Sequence, residues 1–134
     1  MPHAKEVLSE IHNLKNKKVA AVFDLDSTLY CVSVRTEKIM RDFADDPLAG
    51  TRFPHQKRIL KTIQVLPSDW GIRESLIRAG IEAPLDFFEE LRSYWRKHFF
   101  SSPYLKCDLP YEGAVRYVQA ISEAGVPILY LTGR

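Results

Sequence analysis

Two carboxylates stand two positions apart in the segment Phe23-Asp24-Leu25-Asp26-Ser27-Thr28, just where the apolar run Val19-Ala20-Ala21-Val22-Phe23 gives out. In extended backbone, residues i and i+2 project to the same side, and a turn after the first lets the second swing over it. Carboxylates that close can share a hard cation, because an oxygen-ligated Mg²⁺ takes one or two of them and fills its shell with water or phosphate oxygen. They can also divide into nucleophile and proton carrier, since an Asp can form an acyl phosphate. The plainer alternative is that Asp24 and Asp26 are turn and capping residues of the kind Asp supplies after strands. A second polar cluster, Thr132-Gly133-Arg134, follows the apolar run Val126-Pro127-Ile128-Leu129-Tyr130-Leu131. Ligands of open α/β sheets bind outside the carboxyl ends of strands, which makes both clusters candidates for one site.

The elements that must position these residues follow from hydrophobic periodicity. Ala4 to Leu14 carries Val7, Leu8, Ile11 and Leu14 at helical spacing with Glu6 and Glu10 outward, a short amphipathic helix that packs on something later in the chain. Val19 to Phe23 and Val126 to Leu131 are short continuous apolar runs, the pattern of strands covered on both faces in a parallel sheet, with Pro127 tolerated near a strand start. Between them lies a helical block. Ser33 can cap a helix with Ile39, Met40 and Phe43 on one face, and Pro54 opens a second through Ile59, Leu60, Ile63 and Leu66. Ser68 or Asp69 can cap a third with Ile72, Leu76 and Ile77, and Pro84 opens a fourth with Phe87, Phe88, Leu91, Tyr94, Trp95 and Phe99. Pro110 to Gly113 then turns into a last helix with Ala114, Val118 and Ile121, which Gly125 stops.

At 134 residues the chain has room for about one ordinary domain. Its 46% hydrophobic and 27% charged residues exclude a disordered or fibrous chain. Nineteen Lys and Arg against 17 Asp and Glu leave only +2, too small an excess to serve as a nucleic-acid or anionic-membrane footprint. Cys31 and Cys107 are too few and too distant for a disulfide framework, a zinc knuckle or a CxxC pair, so both are expected as reduced thiols. No apolar run is long enough to span a membrane and no cleavable signal is visible, which makes the cytoplasm the expected compartment.

Taken together, the motifs resemble the haloacid dehalogenase superfamily, which is dominated by phosphatases. The first motif of that family is a buried strand followed by DxDx[TV], matched by Val19 to Phe23 with Asp24, Asp26 and Thr28. The second is an apolar strand ending in Thr or Ser, matched by Ile128 to Leu131 and Thr132, with Gly133 and Arg134 continuing as in many members. The resemblance implies an α/β fold: a partial Rossmann-like core of parallel strands with an all-helical cap inserted. Residues 1–32 would form the first part of the core, 33–107 the cap and 108–134 the second part of the core.

It also implies roles. Asp24 would be the nucleophile and a Mg²⁺ ligand. Asp26 would protonate the leaving oxygen, activate the hydrolytic water and ligate Mg²⁺ through its backbone carbonyl. Thr132, together with Thr28, Gly133, Arg134 and backbone N–H groups near Leu25, would bind the phosphoryl group of a small phosphorylated substrate. Members that cleave carbon–halogen bonds lack an Asp at the position of Asp26, so a phosphatase or phosphotransferase is expected rather than a dehalogenase. The different-class alternative is a non-catalytic remnant or binding module. Relative to the family pattern, the third motif (a Lys or Arg) and the fourth (further acids) would lie past Arg134, so these 134 residues are expected to be a fragment with negligible turnover.

Weaker signals have ordinary explanations. Arg52, His55, Lys57, Arg58 and Lys61 could attract a polyanionic substrate, but a solvated helix face is the expected reading. Arg35 is expected at the surface rather than on substrate, His98 partly buried in the helical core, and Cys31 near the site without a basic neighbour to activate it.

Overall fold

The computed structural model describes residues 4–14 and 18–133. The elements are α1 (Ala4–Asn13), β1 (Ala21–Asp24), β2 (Tyr30–Cys31), α2 (Ser33–Asp45), α3 (Pro54–Leu60), α4 (Arg73–Arg78), α5 (Leu85–Phe99), a 3₁₀ segment (Ser102–Cys107), β3 (Leu109–Pro110), α6 (Ala114–Glu123) and β4 (Ile128–Leu131). This is a mixed α/β fold in which β1 and β4 pair in parallel and β2 pairs with β3. The chain divides into two compact units, one of residues 1–31 and 110–133 and the other of residues 32–109. Among the described residues, no helix is long and apolar enough to cross a membrane.

In the first unit Val7, Leu8 and Ile11 of α1 and Leu14 just after it are half-buried, Glu6 and Glu10 are exposed, and the helix packs on α6. Gly113 and Gly125, with φ of 81° and 80°, bound α6 at the left-handed positions that L side chains avoid. Phe23 meets Tyr117 of α6 edge-on at 6.0 Å, which covers one face of the strand pair. The other face is open: Val22, Leu129 and Leu131 are 61%, 55% and 64% exposed. The expectation of strands covered on both faces is therefore corrected among the described residues: α6 meets Phe23 on one side, while Val22, Leu129 and Leu131 on the other are exposed.

The second unit has its own core. Ile39, Met40, Phe43 and Ala44 recur at the spacing of one helical face, and Phe43, Phe87 and Leu91 are fully buried. Phe43 sits edge-on to Phe87 at 6.2 Å and to Tyr94 at 5.3 Å, and Phe53 edge-on to Phe87 at 5.2 Å. Removing one such ring from water stabilises by roughly 1.5–3 kcal/mol, which makes this aromatic cluster the main cohesive element of the unit. Three boundaries and one burial depart from the periodicity. Ser33 is the first residue of α2 rather than its cap, which is Val32 with no side-chain bond. α3 ends at Leu60, because the backbone beyond it is recruited by α2: Arg41 Nη2 donates to Ile63 O at 2.9 Å and Val65 N–H to Glu37 Oε2 at 3.1 Å. α4 begins at Arg73, since the Asp69 carboxylate is occupied by Arg78 and by the Leu66 N–H instead of capping. Ile77, expected on the buried face of α4, is 71% exposed.

Two measurements test this packing. Gly50 (φ +58°) and Gly80 (φ +67°) are both left-handed, but a Cβ on Gly50 would lie 2.6 Å from Phe43 Cζ whereas one on Gly80 would meet nothing within 4 Å. Gly80→Ala should cost about 1–2 kcal/mol for its backbone conformation alone. Gly50→Ala should cost a further ~1–3 kcal/mol from overpacking, read as the difference in urea midpoint. The second concerns acid. The hydrogen-bonded Arg78 guanidinium holds the Asp69 carboxyl below the ordinary carboxylate range. A depressed folded value gives stability that is present above the unfolded pKa and lost as pH falls through the folded one. Asp69→Asn should therefore start less stable at pH 6 and lose less further stability between pH 6 and pH 3 than the parent.

Candidate active site

The site begins with strand register. Ala21, Val22, Phe23 and Asp24 pair in parallel with Ile128, Leu129, Tyr130 and Leu131, so Asp24 lies beside Leu131 and Thr132 is the next residue out. Both polar clusters thus leave the sheet at the same carboxyl end. Asp24 is the last residue of β1, and pleat alternation puts its side chain on the open face with Val22.

After Asp24 the chain wraps around one carbonyl. Leu25 O accepts the N–H groups of Thr28 (3.3 Å), Leu29 (3.1 Å) and Tyr30 (3.0 Å), while the Ser27 N–H donates to Tyr30 O at 2.8 Å. Ser27 takes φ 61°, the left-handed conformation that lets so tight a turn close. The wrap carries Thr28 back over the strand end, where its Oγ1 donates to Asp24 Oδ2 at 2.9 Å. One carboxylate oxygen is thereby fixed and Oδ1 is left without a protein partner among the described residues. Asp24 and Thr28 are exposed, and Asp26 is half-buried and engaged with neighbouring groups. Thr132 and Gly133 are exposed, with Thr132 also engaged; Arg134 lies outside the described residues.

The structure thus brings Asp24, Leu25, Asp26, Thr28 and the Thr132–Gly133 segment to one end of one sheet. The hard oxygens of the Asp24 carboxylate and the Asp26 backbone carbonyl are of the type that suits Mg²⁺ with its remaining positions filled by water and phosphate oxygen. Among the described residues, no group of three or more His, Cys, Asp or Glu side chains could hold a metal ion.

Sequence reasoning missed the support of the turn. Leu29 O accepts the N–H of Tyr111 at 2.9 Å, which anchors the far side of the loop to a residue remote in the chain. The Tyr111 hydroxyl contacts Cys31, and burial followed by that thiol raises the phenol above its ordinary pKa. Leu25, Leu29 and Tyr30 also line an apolar cavity of about 470 Å³ with Pro110, Val118 and Tyr130. No local pattern announces these pairings; the Pro-Tyr at 110–111 looks only like a turn before α6.

Other candidates belong to the second unit and are engaged there. Within the second unit, Lys57 Nζ donates to the carbonyls of Asp46 and Ala49, both at 2.6 Å. Arg52 faces Asp86 and Glu90, and Lys61 faces Asp45 at 3.0 Å. These three cations are engaged by groups of α2, of the loop after it and of α5 within the same unit, while Arg52, His55, Arg58 and Lys61 remain exposed. His98 is half-buried between Tyr94 and Tyr104, with ring centroids at 4.3 and 5.5 Å. Arg35, expected at the surface, is 0% exposed, because Phe99 and Asp108 together enclose and pair it.

A family model described as hydrolase, haloacid dehalogenase-like hydrolase, matches residues 18–134. No curated protein and no solved structure matches the chain.

The turn is tested by its strained residue. Ser27→Gly should be neutral or stabilising by up to about 1 kcal/mol, because glycine reaches φ 61° without a Cβ clash. Ser27→Val should destabilise by at least ~1–2 kcal/mol, measured in urea.

Proposed function

The chain belongs to the haloacid dehalogenase-like hydrolases, and we propose that the chemistry its residues serve is hydrolysis of phosphate monoesters through a phospho-aspartate formed at the Asp24 end of the sheet. The observation that carries this reading is the register that sets Asp24 beside Leu131, with Thr132 next. It gives a nucleophile and a phosphate-binding hydroxyl a common exit from the sheet.

In the proposed reaction, Asp24 Oδ1 bonds to phosphorus as the bond from phosphorus to the ester oxygen breaks. The departing oxygen takes the proton of the Asp26 carboxyl and leaves as the alcohol. A water then gives a proton to the Asp26 carboxylate while its oxygen bonds to phosphorus, and the bond to Asp24 breaks to release phosphate. Both carboxyl groups return to their starting states. The hydrogen bond from Thr28 to Oδ2 supports the assignment, because it orients the carboxylate while leaving Oδ1 to attack. The Thr132 hydroxyl and the backbone N–H groups near Leu25 bind phosphoryl oxygens, with Gly133 next to them. The Asp24 carboxylate and the Asp26 carbonyl would hold Mg²⁺, which when bound would neutralise phosphate charge. Asp26 favours a phosphoryl substrate over a haloacid. The helical unit, residues 32–109, takes the part of a cap that selects a small phosphorylated substrate.

The test uses beryllofluoride, which mimics a phosphoryl group on a carboxylate. With Mg²⁺, the parent protein should give a bound ¹⁹F resonance that disappears when the metal is removed and is absent in Asp24→Asn. Thr132→Val should weaken the adduct by about 10- to 100-fold, the worth of one hydrogen bond to a charged group. A bound resonance of equal strength in Asp24→Asn would overturn the nucleophile assignment. No resonance in the parent would favour the non-catalytic binding module instead.

A further inference from the structure

Arg35 stands in the first turn of α2, and its side chain is completely buried, as is nearly all of the Asp108 side chain at 6% exposure. Burying a charged pair costs several kcal/mol per ion, so a leucine at this position would satisfy a core more simply. The contacts indicate what the arginine does that a leucine could not. Its Nη1 donates to the carbonyl of Phe99 at 2.8 Å, and its Nε lies 2.8 Å from Asp108 Oδ1. Its guanidinium carbon is 3.9 Å from the centroid of the Phe99 ring. That ring lies tilted against Trp95 at 4.5 Å, and Trp95 Nε1 donates to Thr36 Oγ1 at 3.3 Å, beside Arg35 on the same helix. One side chain therefore ties together the start of α2, the end of α5 and the residue that closes the 3₁₀ segment.

The placement of those three points along the chain gives the clasp its meaning. Arg35 follows Cys31 by four residues, and Asp108 precedes Pro110 by two. An extended chain spans at most ~3.3–3.6 Å per residue, so clasping residues 35 and 108 limits how far Cys31 and Pro110 can separate. Those residues belong to the paired β2 and β3, and directly flank the bond from the Tyr111 N–H to Leu29 O. Leu29 and Tyr30 are also the residues whose N–H groups close the turn on Leu25 O, the turn that brings Thr28 to Asp24.

We infer that Arg35 is a positioning residue for the active-site turn: its clasp on Phe99 and Asp108 holds residues 29–31 alongside 109–111, and through the bond between Leu29 and Tyr111 keeps Thr28 on Asp24. Naming that turn the active site rests on the proposed phosphatase reading. The clasp is measured on the turn itself, so beryllofluoride binding can fail with the clasp intact, and the clasp can fail with beryllofluoride bound.

The experiment is amide hydrogen exchange by NMR on the 134-residue chain. The variant Arg35→Met with Asp108→Leu removes both buried charges at once and leaves neither unpaired, a replacement that is often neutral or stabilising for the fold. Expected is exchange faster by about tenfold or more at the Tyr30 and Tyr111 amides, while the amides of Phe43 in α2 and Leu91 in α5 stay within about twofold of the parent. Arg35→Lys keeps a cation for Asp108 and loses the forked reach to Phe99 O, and should fall between the two. Parent-like exchange at Tyr30 and Tyr111 in a double variant whose α2 and α5 remain protected would overturn the inference. Should the double variant lose protection throughout α2 and α5, Arg35→Lys decides by the same two amides: acceleration there upholds the clasp and parent rates refute it.

Discussion

The parallel pairing of β1 with β4 is the constraint from which the rest follows. Antiparallel strands can be joined by a tight turn, but parallel ones need a long crossover, and here everything from Leu25 to Pro127 is that crossover. Parallel direction is also what makes a site: it sends the ends of both strands to one edge, whereas an antiparallel pair would put Asp24 and Thr132 at opposite ends. The pairing is narrow, four residues a side. A slip of one residue would turn Asp24 to the Phe23 face, which α6 covers.

The chemistry of the strand end depends on a second, smaller device. Three N–H groups converge on the Leu25 carbonyl, and a left-handed Ser27 lets them do so. The turn places a hydroxyl on one oxygen of an exposed carboxylate and leaves the other to the solvent side. A carboxylate held in this way loses rotational freedom in the folded chain, an arrangement that suits the proposed phosphoryl transfer, in which positioning and charge neutralisation supply most of the catalysis.

The helical unit uses its polar groups mainly on itself. Asp46 Oδ1 accepts the N–H groups of Leu48 and Ala49, and the Gly50 N–H goes to Glu90 Oε1 at 2.6 Å. Tyr104 donates to Asp42 at 2.8 Å, and burial followed by that carboxylate raises its phenol well above the ordinary range. These bonds surround the aromatic core of Phe43, Phe53 and Phe87 and fix loops that have no regular structure. Arg35 is the exception in reach, because its contacts fall at the base of the unit where the chain enters and leaves it.

Local chemistry in the sequence determined the kinds of elements and the residues able to react. Apolar runs at 19–23 and 126–131 became strands shifted by a residue or two, the periodicity of α2, α5 and α6 became helices, and glycines 113 and 125 marked where α6 starts and stops. The DxDxT spacing likewise announced a carboxylate pair at a strand end. Each of these depends on neighbours within a few positions, so one sequence suffices to read it. The tertiary structure alone decided the open face at Val22, the early end of α3, the burial of Arg35 and the bond from Tyr111 to Leu29. In all of these a group is claimed by a partner on another element, and whether Arg35 faces water or Asp108 depends on the folding of the residues between them, which local propensity does not encode.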